Sequence, residues 1–220
     1  MLSPEIRDIA LFTVACAAVA TILMLPPGVA LAWCLARREF RGKAIVETLV
    51  ALPLVIPPVA TGLLLLWLLG RRGPVGRLLE PLGVDVVFTP AAVVIAMAVM
   101  GLPLVVRTAR TGFEQATRRY ERMAETLGAS AWRVFTAVTL PLARRSILAG
   151  ALLGFSRALG EFGATIVVAG SIPGRTRTLA VGIYTFSESG QDGRAAALLA
   201  ISIGIAFAAV LLSNRLSRAA

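Results

Sequence analysis

The chain has 220 residues, 57% apolar and 15% charged, with 22 Lys+Arg against 12 Asp+Glu and no histidine, and its mean hydropathy is +0.82. Soluble domains are roughly 45–50% apolar and about 25% charged, and here the apolar residues arrive in blocks, which excludes a soluble globule and makes the bilayer their solvent. The net charge of +10 does not point to nucleic acid, because the basic residues lie between the apolar blocks without interleaved aromatics.

In chain order the blocks are residues 9–35, 44–69, 89–106, 147–169 and 195–212. Each is near or above the ~18 residues that mark a spanning helix, so five spans are predicted in an all-α bundle. A helix broken near residues 53–62, or a further helix within 111–122, would raise the count to six. Ala30-Leu31-Ala32 resembles a signal-peptide cleavage site, but the residues ahead of the first block (Glu5, Arg7, Asp8) are not basic and the run is too long. Cys16 and Cys34 both fall in that block without a CxxC spacing. With no histidine, neither a metal or haem site nor a Ser/His/Asp triad has its residues, so no resident cofactor and no catalytic site are expected.

Prolines interrupt several blocks: Pro26 and Pro27, then Pro53, Pro57 and Pro58 ahead of Gly62, then Pro103 after Gly101. Each frees a backbone carbonyl that protein or cavity water must satisfy, either at a simple kink or along a hinged pathway. The basic residues give the orientation, since cytoplasmic loops are enriched in them. Fourteen (Arg37, Arg38, Arg41, Lys43, Arg107, Arg110, Arg118, Arg119, Arg122, Arg133, Arg144, Arg145, Arg215, Arg218) fall on one side and seven (Arg7, Arg71, Arg72, Arg77, Arg175, Arg177, Arg194) on the other. The N-terminus is then outside, the C-terminus inside, the segment 107–145 cytoplasmic, and the loops 71–88 and 171–194 outward.

The cytoplasmic segment reads YERMAETLGASAWRVFTAVTLP over residues 120–141. Met123 and Leu127 share one helix face opposite Glu121, Arg122 and Glu125. Gly128 suits a left-handed cap ending that helix, Ser130 suits the N-cap of the next, and Pro141 is expected to interrupt it near the membrane. On these residues alone the segment is a compact helix–turn–helix, or an amphipathic connector lying on membrane lipid.

The same residues resemble the cytoplasmic signature of the permease subunits of ATP-binding-cassette (ABC) importers: Glu-Ala-Ala, three residues, Gly, nine residues, Ile-x-Leu-Pro. Gly128 is followed by nine residues and then Val138-Thr139-Leu140-Pro141, and Ala124 matches the second alanine. Arg122 stands in the place of the glutamate and Met123 in that of the first alanine, with Glu121 adjacent to take the acidic role. The resemblance implies a type I importer permease, a single transmembrane domain over 1–220 whose coupling segment spans about 112–145. Its short helix docks in a groove of the ATP-hydrolysing subunit, with Met123, Ala124 and Leu127 as the knob, Gly128 as the close approach, and Glu121, Glu125, Leu140 and Pro141 as the remaining coupling residues. Further stretches, SILAGALLGFSRALGEFGATIVVAGSIPGRTRTLAVGIYT, ALPLVIPPVATG and GRRGPVGRLLEPLG, are most similar to molybdate permeases, with the longer sulfate permeases next and tungstate chemically close. The implied partners are a second permease copy, two ATP-binding subunits and an extracytoplasmic oxyanion-binding protein in a prokaryotic cytoplasmic membrane. ATP and magnesium are expected on the partner, because Arg37 occupies the place of the first glycine that a GxxxxGK phosphate loop ending at Gly42-Lys43 would need.

Arg157 and Glu161 lie i, i+4 in the fourth block, where lipid exposure of either would cost about 2.5–3.5 kcal/mol. Two readings stand: a structural ion pair that orders the bundle, or an arginine lining an anion route with its attraction tempered by Glu161. Ser156, Thr165, Ser171 and Thr178 are neutral donors near the same route. Arg175, Arg177 and Arg194 are either a solvated basic surface or a docking site for an acidic protein. A membrane enzyme would need a polar catalytic cluster that the spans lack. A stand-alone channel leaves the spacing from Gly128 to Pro141 unexplained.

Overall fold

The computed structural model describes residues 3–116 and 118–218, and its regular structure is helical throughout. Helix α1 runs Pro4–Arg37 without interruption, although Pro26 and Pro27 lie inside it. At 1.5 Å per residue its 34 residues reach about 50 Å, well beyond a hydrocarbon core of about 30 Å, so both ends emerge from the bilayer.

The second block is broken. Helix α2, Lys43–Val55, ends at Ile56, and α3, Pro58–Leu69, starts after Pro57, with a bend of 113° between them. Ile56 and Pro57 each precede a proline, and both take extended ψ values of 148° and 133°, as the clash with the following ring requires. Beyond α3 the loop folds into α4, Pro74–Leu79, and a turn at Glu80–Leu82.

Helix α5, Pro90–Gln115, continues past the predicted end at residue 106 and carries Pro103 in its interior. The segment after α5 forms α6, Arg118–Thr126, and α7, Ala131–Val134; Thr117 lies outside the described residues. A π-helical turn at Phe135–Thr139 leads into α8, Leu140–Leu159. The predicted fourth span therefore stops ten residues early. Gly160, Glu161 and Phe162 interrupt it, and α9, Gly163–Val168, follows as a separate half-helix. After α10, Leu179–Glu188, the last helix, α11, runs Asp192–Arg218. Among the described residues four helices are long and apolar enough to cross a bilayer, or five if α2 with the segment beyond the break counts as one span. A sixth is not found.

The frame is α1, α5 and α8, packed through small residues. A Cβ on Gly154 would sit 2.6 Å from Met24 Cε, and one on Gly28 2.9 Å from Val105 Cγ1. Backbones approach this closely in membranes because packing and interhelical contacts replace the hydrophobic drive. Helix α11 closes one flank against α8 and α10, α2 lies along α5, and α3 packs on α9.

The α3–α9 contact is backbone against backbone. A Cβ on Gly62 would meet Ala164 Cα and O at 2.8 Å, and one on Gly163 would meet Pro58 Cβ at 2.7 Å. Gly62→Ala is therefore expected to cost about 1–3 kcal/mol by overpacking and to lower the melting temperature in detergent. Gly204→Ala in α11, with nothing within 4 Å of its Cβ, is the unaffected control.

Candidate functional site

Three polar clusters bear on the candidate site, and the first lies in the segment 118–141. Helix α6 ends in a Schellman cap: Gly128 is left-handed at φ 84°, its N–H donates to Glu125 O, and the Ala129 N–H donates to Ala124 O. No atom lies within 4 Å of a Cβ on Gly128, so within the chain the glycine answers a conformational need and not a close approach. Ser130 Oγ accepts the Arg133 N–H and starts α7. Pro141 does not interrupt the helix as expected. The Leu140 N–H reaches back five residues to Phe135 O, and this single π-turn absorbs the proline, which sits in the first turn of α8, where a missing donor is tolerated.

Of the predicted coupling residues, Met123, Glu125, Leu127, Gly128 and Pro141 are exposed, and Ala124 and Leu140 are half-buried. Leu127, just past the end of α6, has 87% of its surface open and Trp132 on α7 has 74%; α6 itself has no buried residue. Glu121 turns the other way. Its Oε1 lies 2.7 Å from Arg37 Nη2 at the end of α1 and accepts the Thr139 hydroxyl at 2.7 Å. Arg37 Nη2 also donates to Ala116 O. Beside this network Trp33 meets Phe135 edge-on at 5.6 Å, and the Arg38 guanidinium lies over Trp33.

The second cluster occupies the break between α8 and α9. Glu161 is 1% exposed; its Oε1 accepts the Ala164 N–H at 2.7 Å, capping α9, and its Oε2 lies 2.7 Å from Arg157 Nη1. The arginine thus sits at the C-terminal end of α8 and the carboxylate at the N-terminal end of α9, each facing the favourable pole of a helix dipole. Arg157 keeps a quarter of its side chain exposed. Thr165 on α9 and Thr61 on α3 are buried, and neither hydroxyl has a hydrogen-bond partner among the described residues. The far end of α9 is held by the Phe88 N–H, which donates to Val168 O from a left-handed residue, φ 60°. The remaining predicted donors are engaged elsewhere: Ser156 with Leu152 O, Ser171 with Arg177 and Thr185, and Thr178 as the cap of α10.

The third cluster lies where the start of α1 meets α10 and the start of α11. Glu5 on α1 pairs with both Arg177 and Arg194, whose guanidinium groups also lie over the Phe186 ring at 5.5 and 5.6 Å. Arg177, with 12% of its side chain exposed, is therefore an internal strut, whereas Arg194 is paired but stays 48% exposed and Arg175 is exposed as well. In the loop between α3 and α5 Arg71 clips Asp85 with two hydrogen bonds, which hold the Asp85 carboxyl below its usual range against a weaker opposing effect of burial. The depressed pKa makes the clip complete above the ordinary carboxylate value of about 3.9 and lost as acidification passes the lowered one.

Sequence reasoning missed Arg37, Thr139 and Thr61. Arg37 was legible only as a topology marker at a span end, whereas Thr139 and Thr61 carried no signal at all.

The chain matches the family described as "Binding-protein-dependent transport system inner membrane component" over residues 28–220. It is 45% identical over 201 residues to the molybdenum transport system permease protein ModB of Escherichia coli strain K12, covering 90% of this chain and 88% of that protein. It is 34% identical over 220 residues to the sulfate transport system permease protein CysT of the same strain, covering 98% and 79%. Among solved structures, a bacterial alginate ABC transporter in complex with its alginate-bound periplasmic protein has a chain of the same fold, with a TM-score of 0.72 at 19% identity, covering 98% of this chain and 79% of that one.

Glu161→Gln keeps an acceptor for the Ala164 N–H but leaves the Arg157 cation unpaired. The expected loss is about 1–3 kcal/mol, below the ~3–5 kcal/mol for a fully buried pair, because Arg157 is partly exposed. In detergent melting, Arg157→Gln combined with Glu161→Gln should lie nearer the parent than Glu161→Gln alone.

Proposed function

The chain belongs to the family of binding-protein-dependent transport system inner membrane components, and from that premise we propose that it is the membrane-spanning permease subunit of an ATP-driven importer carrying molybdate across the cytoplasmic membrane. The observation that carries the substrate is the difference between 45% identity to a molybdenum permease and 34% to a sulfate permease, each over nine-tenths or more of the chain.

The subunit works with a second, identical permease copy, two ATP-binding subunits and an extracytoplasmic oxyanion-binding protein. ATP and magnesium sit on the partner, since the only lysine of the chain follows no phosphate-loop glycine pattern. The exposed apolar face of Met123, Leu127 and Trp132 suits docking to the ATPase. Closure of two ATPases moves that face, and the rigid helices behind it convert the motion into opening and closing of the pathway.

The route of the oxyanion passes the break between α8 and α9. A transporter needs weak attraction, because an ion bound in a deep well does not leave. Arg157 supplies donors, Glu161 cancels most of its charge, and the unpartnered hydroxyls of Thr61 and Thr165 offer neutral hydrogen bonds beside it if the α3–α9 contact loosens.

ATP-dependent uptake into vesicles holding this chain with its ATPase and binding protein tests the reading. Labelled molybdate should accumulate, tungstate should compete and a large excess of sulfate should not; preferred sulfate uptake would reassign the substrate. Orientation has its own test. With Cys16 and Cys34 replaced, a cysteine at Ser189 should react with an impermeant thiol reagent from outside intact cells, and one at Thr126 should react only after the membrane is opened.

A further inference from the structure

Helix α6 carries no buried residue, so apolar packing does not fix it to the membrane helices behind it. Between them lies a cavity of about 280 Å³ lined by residues that include Trp33, Arg37, Glu121, Phe135 and Thr139. Across that gap runs the network of Arg37 with Glu121 and Ala116 O, closed by the Thr139 hydroxyl on Glu121. The side chains of Arg37 and Glu121 are only 10% and 16% exposed, so salt and water screen the pair little.

We infer that Arg37 is a positioning residue for energy coupling: with Glu121 and Thr139 it forms the strut through which movement of α6 reaches α1 and the base of α8. This rests on the importer reading above and assigns Glu121 to its own chain, not to the ATPase. The charge-assisted bonds are short and directional, and so resist sliding in a way that an apolar contact does not. A single guanidinium nitrogen, Arg37 Nη2, grips both the side chain of α6 and the carbonyl that ends α5. Helix α1 then carries the displacement without a break to Glu5, where Arg177 and Arg194 are held. Arg37 Nε is buried with no partner among the described residues, so an apolar filling of the same volume would serve stability at least as well. Position is what the polar strut adds.

That difference defines the experiment. In the assembled transporter, Arg37→Met combined with Glu121→Met should keep the melting temperature and the copurifying ATPase, while molybdate imported per ATP hydrolysed falls by about fivefold or more, the lower range of site-to-site coupling. Thr139→Val should show a smaller fall, and Thr139→Ser, which retains the hydroxyl, should recover it. An unchanged ratio in the double variant overturns the inference, as does loss of the ATPase from it, because Glu121 would then act toward the partner. Wild-type vesicles without ATP-dependent uptake overturn the importer reading, and the strut with it, whereas wild-type uptake with an insensitive double variant overturns the strut alone.

Discussion

In a bilayer every backbone N–H and C=O must find its partner inside the protein, and this chain breaks two of its helices at membrane depth. The break at Ile56–Pro57 is relieved by chemistry: both ring nitrogens lack a hydrogen, so there is less to satisfy. The break at Gly160–Phe162 has no proline, and its freed groups are met by a side chain, with Glu161 receiving the Ala164 N–H. A carboxylate in that place needs a cation, and Arg157 one turn earlier supplies it. The two half-helices that result, α3 and α9, then lie backbone to backbone through Gly62 and Gly163. The remaining long helices are the frame that holds this contact in place.

The longest member of the frame is anchored by ion pairs at both of its ends. Helix α1 begins at a carboxylate that gathers Arg177 and Arg194 and ends at an arginine that holds α6. Less than a third of the way along, Thr13 donates to Ile9 O and accepts the Leu179 N–H, which ties α10 to the same rod. Polar contacts occupy the ends of α1 and small apolar residues its middle, as expected where water is available only beyond the hydrocarbon core. Displacement at either end therefore has a stiff, continuous route to the other, whereas α2 and α3 are uncoupled by a right-angle bend.

The sequence made the spans legible because blocks of apolar residues have no other stable solvent, and it flagged the proline break because Pro57 and Pro58 force their predecessors out of the helical region. It hid the second break, since Gly160, Glu161 and Phe162 sit between apolar runs and a hydropathy average passes over one carboxylate. The flanking Gly160 and Gly163 were the available signal. Arg157 and Glu161 were visible as a pair because helical spacing brings i and i+4 together, but their placement at two helix ends was not. Glu121 with Arg37 and Glu5 with Arg177 are 84 and 172 residues apart. Nothing local encodes such partners, so a sequence reading could count these arginines for topology without learning that they are used. Pro141 misled because a proline near a helix start looks like a stop, and the π-turn that accommodates it leaves no mark in composition.

Part of the positive charge is neutralised locally by carboxylates. Arg110 bridges Glu47 and Glu114 at the C-terminal end of α5, Arg71 is clipped by Asp85, and Arg157 is matched by Glu161. For a doubly charged oxyanion this matters more than the net charge of +10. Several bare arginines along a narrow route would sum to a trap, because attraction strengthens as water is excluded. Paired arginines keep their donors for orienting the anion's oxygens while offering little net field. The proposed pathway is consequently shallow in energy, and in the proposed importer its direction comes from outside it, from the ATP-driven movement proposed to act through α6.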